Sequence, residues 1–156
     1  MRKLTRFLLL MLAMLPQWMV AQAYDLTVAG VAVTSANAQV GITGDGIVGT
    51  VTFEAASAAN GNVNTLTLDG ATLKGGIVSG LDNLTIHLSE SNEIQGEEST
   101  PLATGVKSTN ANATLTFTSE VNTHSEPMGR LRFINVTTPF DGFCTVAFKS
   151  GLIYYE

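Results

Sequence analysis

Asn64-Thr65-Leu66-Thr67-Leu68-Asp69-Gly70-Ala71-Thr72-Leu73 is the stretch that decides the fold class. Apolar residues and threonine alternate on both sides of an Asp-Gly pair. Period-two alternation carried by β-branched residues marks a half-buried strand, with leucines on one face and threonines on the other. Asp-Gly is a preferred two-residue hairpin turn. With that turn, Leu68 faces Ala71 and Leu66 faces Leu73, so all four apolar side chains fall on one side. The stretch therefore predicts an antiparallel hairpin. In a parallel solenoid the same glycine would stand at a corner, with pairing from rung to rung. The sequence leaves both open.

Moving outward, the apolar-Thr-apolar unit recurs at Leu26-Thr27-Val28, Val51-Thr52-Phe53, Leu84-Thr85-Ile86 and Leu115-Thr116-Phe117, with Leu131-Arg132-Phe133 as a variant. A single-strand unit recurring at this kind of spacing suggests a solenoid or a meander. Between the units lie turn formers: Gly44-Asp45-Gly46, Asn60-Gly61-Asn62, Gly75-Gly76, Ser91-Asn92 and Asn110-Ala111-Asn112. Ala29-Gly30 permits a second hairpin that pairs Val28 with Val31 and Leu26 with Val33. No long stretch after residue 23 carries a helical apolar stripe. Ala55 to Ala59 has room for one helical turn before Asn60-Gly61-Asn62 ends it.

The first 23 residues differ from the rest. Met1 to Arg6 is basic, Phe7 to Leu15 is unbroken apolar, and Ala21-Gln22-Ala23 is small-x-small. That three-part pattern predicts a secretory signal peptide over 1–23 and a single all-β domain over 24–156. The apolar segment is shorter than the roughly 20 residues a spanning helix needs. Export to the periplasm, cell surface or medium is the expectation, with no membrane span in the mature chain. Three of the eight basic residues and none of the thirteen acidic ones lie in the leader, leaving five against thirteen, or −8. Such an acidic domain does not suit nucleic acid, which selects a basic surface. Cys144 is alone, so no internal disulfide forms. In the alternating run Phe143 to Phe148 it is expected to be a buried apolar residue.

Tyr24 to Asn37, Ile42-Thr43-Gly44-Asp45-Gly46, Gly49 to Phe53 and Asn64 to Leu68 resemble secreted bacterial carbohydrate-binding domain-containing proteins. Leu84 to Leu88, Asn92 to Gly96, Ala113 to Phe117 and Gly151 to Tyr155 resemble the same group. The resemblance covers nearly all of the mature chain. It implies a β-helix-like solenoid with a non-catalytic role in the envelope or outside the cell, and glycan as the ligand class. It also implies that such a domain is often one part of a longer repeat protein.

Glycan recognition uses aromatic faces with planar polar groups around them. The mature chain has no Trp, so Tyr154 and Tyr155 are the candidate platform. Arg130 and Arg132 alternate with Leu131 and Phe133 and should both point outward, where they could clamp a uronic acid carboxylate. The bland alternative is a pair of solvated strand charges that discourage aggregation. His87 shares the outward face of its strand with Thr85 and completes the candidate ligand-binding set. With His124, 37 residues away, it makes a poor metal pair, and no metal ligand is assigned. Glu90, Glu93, Glu97 and Glu98 concentrate carboxylates that would suit calcium, but their spacing is not that of an EF-hand. The Asn-x-Thr sequons at Asn83, Asn112 and Asn135 follow from composition. No nucleophile elbow, phosphate loop or dinucleotide fingerprint occurs.

The expected fold is therefore all-β, a short β-solenoid with an N-terminal hairpin cap, with an antiparallel β-sandwich or meander as the alternative. The expected role is a non-catalytic glycan-binding module that needs no cofactor and has polysaccharide as its partner. Two alternatives stand beside it: a structural module that stacks with itself or joins a larger surface assembly, and, further off, a polysaccharide lyase.

Overall fold

A computed structural model describes residues 21–124 and 126–156. The leader expectation rests, except for its last three positions, on residues outside that range. Among the described residues thirteen strands occur: β1 (Ala23–Val28), β2 (Val31–Thr34), β3 (Ile47–Glu54), β4 (Thr65–Leu73), β5 (Ile77–Ser79), β6 (Asn83–Ser89), β7 (Ser91–Gln95), β8 (Leu102–Ser108), β9 (Thr114–Ser119), β10 (Arg130–Ile134), β11 (Val136–Asp141), β12 (Thr145–Phe148) and β13 (Leu152–Tyr155). The described residues contain no α-helix. A single helical turn among them, Ala58–Asn60, is 3-10 and ends at Gly61 with φ +72°, beside the turn formers expected to end it. No helix among the described residues is long and apolar enough to cross a membrane.

The strands form two sheets. One is a curled sheet in the order β12-β9-β6-β4-β7-β10-β13, with β3 also pairing β4; the other is mixed, β11-β8-β5-β1-β2. Three parallel ladders run through them: β4–β6–β9–β12, β4–β7–β10–β13 and β5–β8–β11. The recurring Leu-Thr units explain the first. Its register places Leu66 beside Ile86, Ile86 beside Phe117, and Phe117 beside Phe148. Each inward residue thus meets an inward residue of the next strand. Leu66, Ile86 and Phe117 are fully buried, and the Phe117 and Phe148 rings stack at 5.3 Å and 9°. Between the described strands, antiparallel pairing occurs at β1–β2, β1–β5 and β3–β4, and one isolated antiparallel bridge joins Val121 to Pro127. The meander alternative therefore describes only the N-terminal part.

The Ala29-Gly30 hairpin forms, with Val28 paired to Val31 as expected and both turn residues at positive φ (46° and 80°), but the register shifts between Ala23 and Thr27, so the expected Leu26–Val33 pair is not part of it. The Asp69-Gly70 hairpin does not form. β4 runs straight through it, and Gly70 bends the strand at φ +56°. The cause is pairing on both edges. β3 follows β4 around the corner, Val51 opposite Leu68 and Ile47 opposite Leu73, with a register shift between Val48 and Thr50. Gly49 sits in that shift at φ +87°, and a Cβ there would lie 2.2 Å from the Gly70 carbonyl oxygen. Two glycines facing each other thus allow two strands to turn one corner together. Leu66, Leu68, Ala71 and Leu73 still all point into the core.

Cys144 is exposed, against the expectation of burial. It stands over the buried Ala113, whose carbonyl accepts its N–H at 2.9 Å. The residues just after it form β12, an outermost strand of the curled sheet, so no strand lies over it.

Candidate functional site

Strand alternation on β7, β10 and β13 sorts the candidate residues. In β10 the pattern is exposed Arg130, buried Leu131, half-buried Arg132 and buried Phe133, so both arginines point outward as expected. The parallel register sets Arg132 beside Glu93 on one side and Tyr154 on the other. Arg130 lies between Ser91 and Leu152 in the same way. One outward surface therefore collects Arg130, Arg132 and Tyr154, with neighbouring strands about 4.8 Å apart. Tyr154 is 44% exposed.

The structure places the other two candidates elsewhere. Tyr155 has the opposite parity: it stands beside inward-pointing Phe133, and its hydroxyl donates to the Thr137 carbonyl at 3.3 Å. His87 lies on the β4–β6–β9 ladder among threonines, between Thr67 and Thr118. Its Nδ1 is 3.1 Å from the Thr118 hydroxyl. It does not join the arginines.

Arg132 is already engaged. One guanidinium nitrogen donates to Glu93 at 3.0 Å and another to Glu156 at 2.6 Å. The hydrogen bond it donates to Glu156 foremost, then the charges of Glu156 and Glu93, raises the Arg132 pKa. An arginine held between two carboxylates is a poor clamp for a third. The free cation here is Arg130, which has no ion-pair partner among the described residues. No local signal marks Glu93 as the partner of Arg132, because 39 residues separate them and only the parallel register joins them.

The same surface runs into a groove. Outward positions continue from Thr72 of β4 to Lys74 just beyond its end, and from Glu93 to Gln95 on β7. Lys74 and Gln95 line a cavity of about 620 Å³ whose far wall is the loop from Gly96 to Pro101. That loop joins β7 to β8 with six residues, where Asn135 alone joins β10 to β11. The longer connection creates the wall. The sequence groups these carboxylates in one acidic loop whose residue types would suit calcium but whose spacing is not that of an EF-hand. The structure separates the carboxylates instead: Glu90 sits in the β6–β7 corner at φ +59°, Glu93 pairs with Arg132, and Glu97 and Glu98 line the groove. Among the described residues no three His, Cys, Asp or Glu side chains are placed to hold a metal ion.

Asn92 is the buried polar residue that the sequence marked only as a turn former. It is fully buried, at a position where the next strand carries Leu131. Its Oδ1 accepts the Ala71 N–H at 2.8 Å, and its Nδ2 donates to the carbonyls of Ser89 (2.9 Å) and Arg130 (3.2 Å). It is a fastening between three strands, and its polar atoms are satisfied.

Comparison with known proteins adds no identification: no family model, no curated protein and no solved structure matches the chain.

Proposed function

We propose that this chain is an exported, non-catalytic glycan-binding module built as a short β-solenoid with an N-terminal hairpin cap. The solenoid reading draws on the three parallel ladders and on the antiparallel β1–β3 at one end of them. The export reading draws on the leader pattern of residues 1–23, and the ligand class on the resemblance described above. The observation that carries the binding reading is the outward row Glu93–Arg132–Tyr154 beside Arg130 and the Lys74–Gln95 groove. It combines an exposed aromatic ring with planar charged groups whose spare donors and acceptors match sugar hydroxyls. The Arg132 pairs cancel much of the local charge, and the domain at −8 repels polyanions. A neutral polysaccharide suits the surface better than the uronic acid that two free arginines would have favoured.

A glycan array probed with the mature protein, with and without calcium, tests this. Retention of a neutral polysaccharide is expected, independent of calcium, and lost in the Arg130→Ala/Tyr154→Ala double variant. No retained glycan, or retention unchanged in that variant, overturns it. A second reading, a structural module without a small-molecule ligand, is favoured by the half-exposed Phe148 and Tyr155 on β12 and β13. Concentration-dependent association in light scattering, together with an empty array, would select it.

A further inference from the structure

The N-terminal end of the molecule carries a second cradle. Tyr24 on β1 packs edge-on against buried Phe53 of β3, with centroids 5.0 Å apart at 61°, and keeps part of its ring at the surface. In front of it lie two adjoining depressions of about 350 and 190 Å³ that share Gln39, Phe53 and Glu54. Thr65 and Thr67 of β4 floor the smaller one.

Both rims are pinned. The loop after β2 is held by Asn37, whose Oδ1 accepts the Thr34 N–H at 2.8 Å and whose Nδ2 donates to Ala32. It is strapped to β3 through Phe53 N–H to the Ala38 carbonyl (2.6 Å) and Ile42 N–H to Val51 (2.8 Å). The opposite rim is tied by Asn60, which accepts from Ser57 and donates to Ala55, and by Asn64, which accepts from Ala56. The asparagines are thus occupied with the backbone. Gln39 and Glu54 are exposed, and their planar polar groups face a cradle that needs no loop ordering when it is filled.

We propose that this cradle is a second saccharide site, taking one neutral pyranose unit. Tyr24 offers the aromatic surface for the sugar C–H face, and Gln39 and Glu54 offer an amide and a carboxylate for its hydroxyls. Glu54 is the charged group lining it, which excludes anionic sugars. The site extends the glycan-binding reading but shares no residue with the β7–β10–β13 surface. Two sites on one rigid body would let the protein hold a polysaccharide at two points, with avidity above either affinity.

An NMR amide titration of the mature protein with methyl β-D-glucopyranoside, methyl β-D-galactopyranoside and methyl α-D-mannopyranoside at millimolar concentration tests it. Saturable shifts at Tyr24, Gln39 and Glu54 are expected with at least one glycoside. Gln39→Ala and Glu54→Gln should each weaken that binding about tenfold, the loss of one charge-assisted or bidentate hydrogen bond. Their spectra away from the cradle report an intact fold. Absence of saturable cradle shifts with all three, or affinity unchanged in both variants, overturns the proposal. Arg130→Ala/Tyr154→Ala should leave these shifts in place. Cradle shifts without polysaccharide retention at the other surface would overturn the earlier reading alone.

Discussion

Ala29-Gly30 and Asp69-Gly70 are two dipeptides of the same kind, each between alternating apolar runs, and they do opposite things. The poorer turn pair makes the hairpin and the better one does not. The difference lies in what each segment meets. β1 and β2 have each other, and β2 is the edge of its sheet. β4 is central, flanked by β3 on one edge and by β6 and β7 on the other. Folding it back at Gly70 would give up the pairings to β3 and to the next strands for a short hairpin ladder. The Ala71 N–H just past the corner is held by the buried Asn92. Local turn preference loses to a ladder on both sides, in which each hydrogen bond contributes about 1 kcal/mol.

The largest expected effect on this contrast comes from Asn92→Leu. Leucine suits the ladder position, which Leu131 occupies on the next strand. It strands the buried Ala71 N–H and removes the donor to the Ser89 and Arg130 carbonyls. A loss of about 2 to 3 kcal/mol is expected, read as a lower urea midpoint at unchanged slope. An unchanged midpoint would show that the corner is held by packing and glycine geometry alone.

A smaller loss is expected for Gly70→Ala. Space is not the obstacle, since the nearest atom to an added Cβ is a Glu90 oxygen at 3.6 Å. The cost is the left-handed backbone at φ +56°, about 1 to 2 kcal/mol. Gly70→Asn should recover part of it. Equal melting of the alanine variant and the parent would mean that the corner relaxes without strain.

The smallest effect has the opposite sign. Ala29 holds φ 46° at the first turn position, where Asn is favoured. Ala29→Asn should stabilise by about 0.5 to 1 kcal/mol, visible as a raised melting temperature. A lowered one would contradict the turn geometry at Ala29-Gly30.

Much of the fold was legible because side-chain parity is local. The Leu-Thr alternation of β4, β6 and β9 told which residues face inward, whichever strand lies alongside. The outward direction of Arg130 and Arg132 followed for the same reason. Parity also sorts the tyrosines, since Tyr154 and Tyr155 are adjacent and must face opposite ways. The site was less legible because its pairs are distant in sequence: Glu93 and Arg132 are 39 residues apart, Arg132 and Glu156 24. Asn92 gave no signal beyond turn preference, since nothing local says that its amide will reach three strands. The burial expected of Cys144 failed because parity gives direction, not cover, and no strand lies over it.

By itself, the sequence determined that the chain after residue 23 is built of strands, which way most of their side chains face, and that this part is acidic and has no Trp. These are properties of residue type and of a two-residue period, and they need no knowledge of neighbours. Only the tertiary structure decided that most strands pair in parallel and that Gly70 bends a strand instead of closing a hairpin. It alone joined Arg132 to Glu93 and Glu156, and set Tyr24 over a groove with Gln39 and Glu54. Those outcomes depend on which backbone edge lies alongside which. A strand's edges present the same N–H and C=O groups to any partner, so the choice is made by the whole assembly of ladders and not by any one segment.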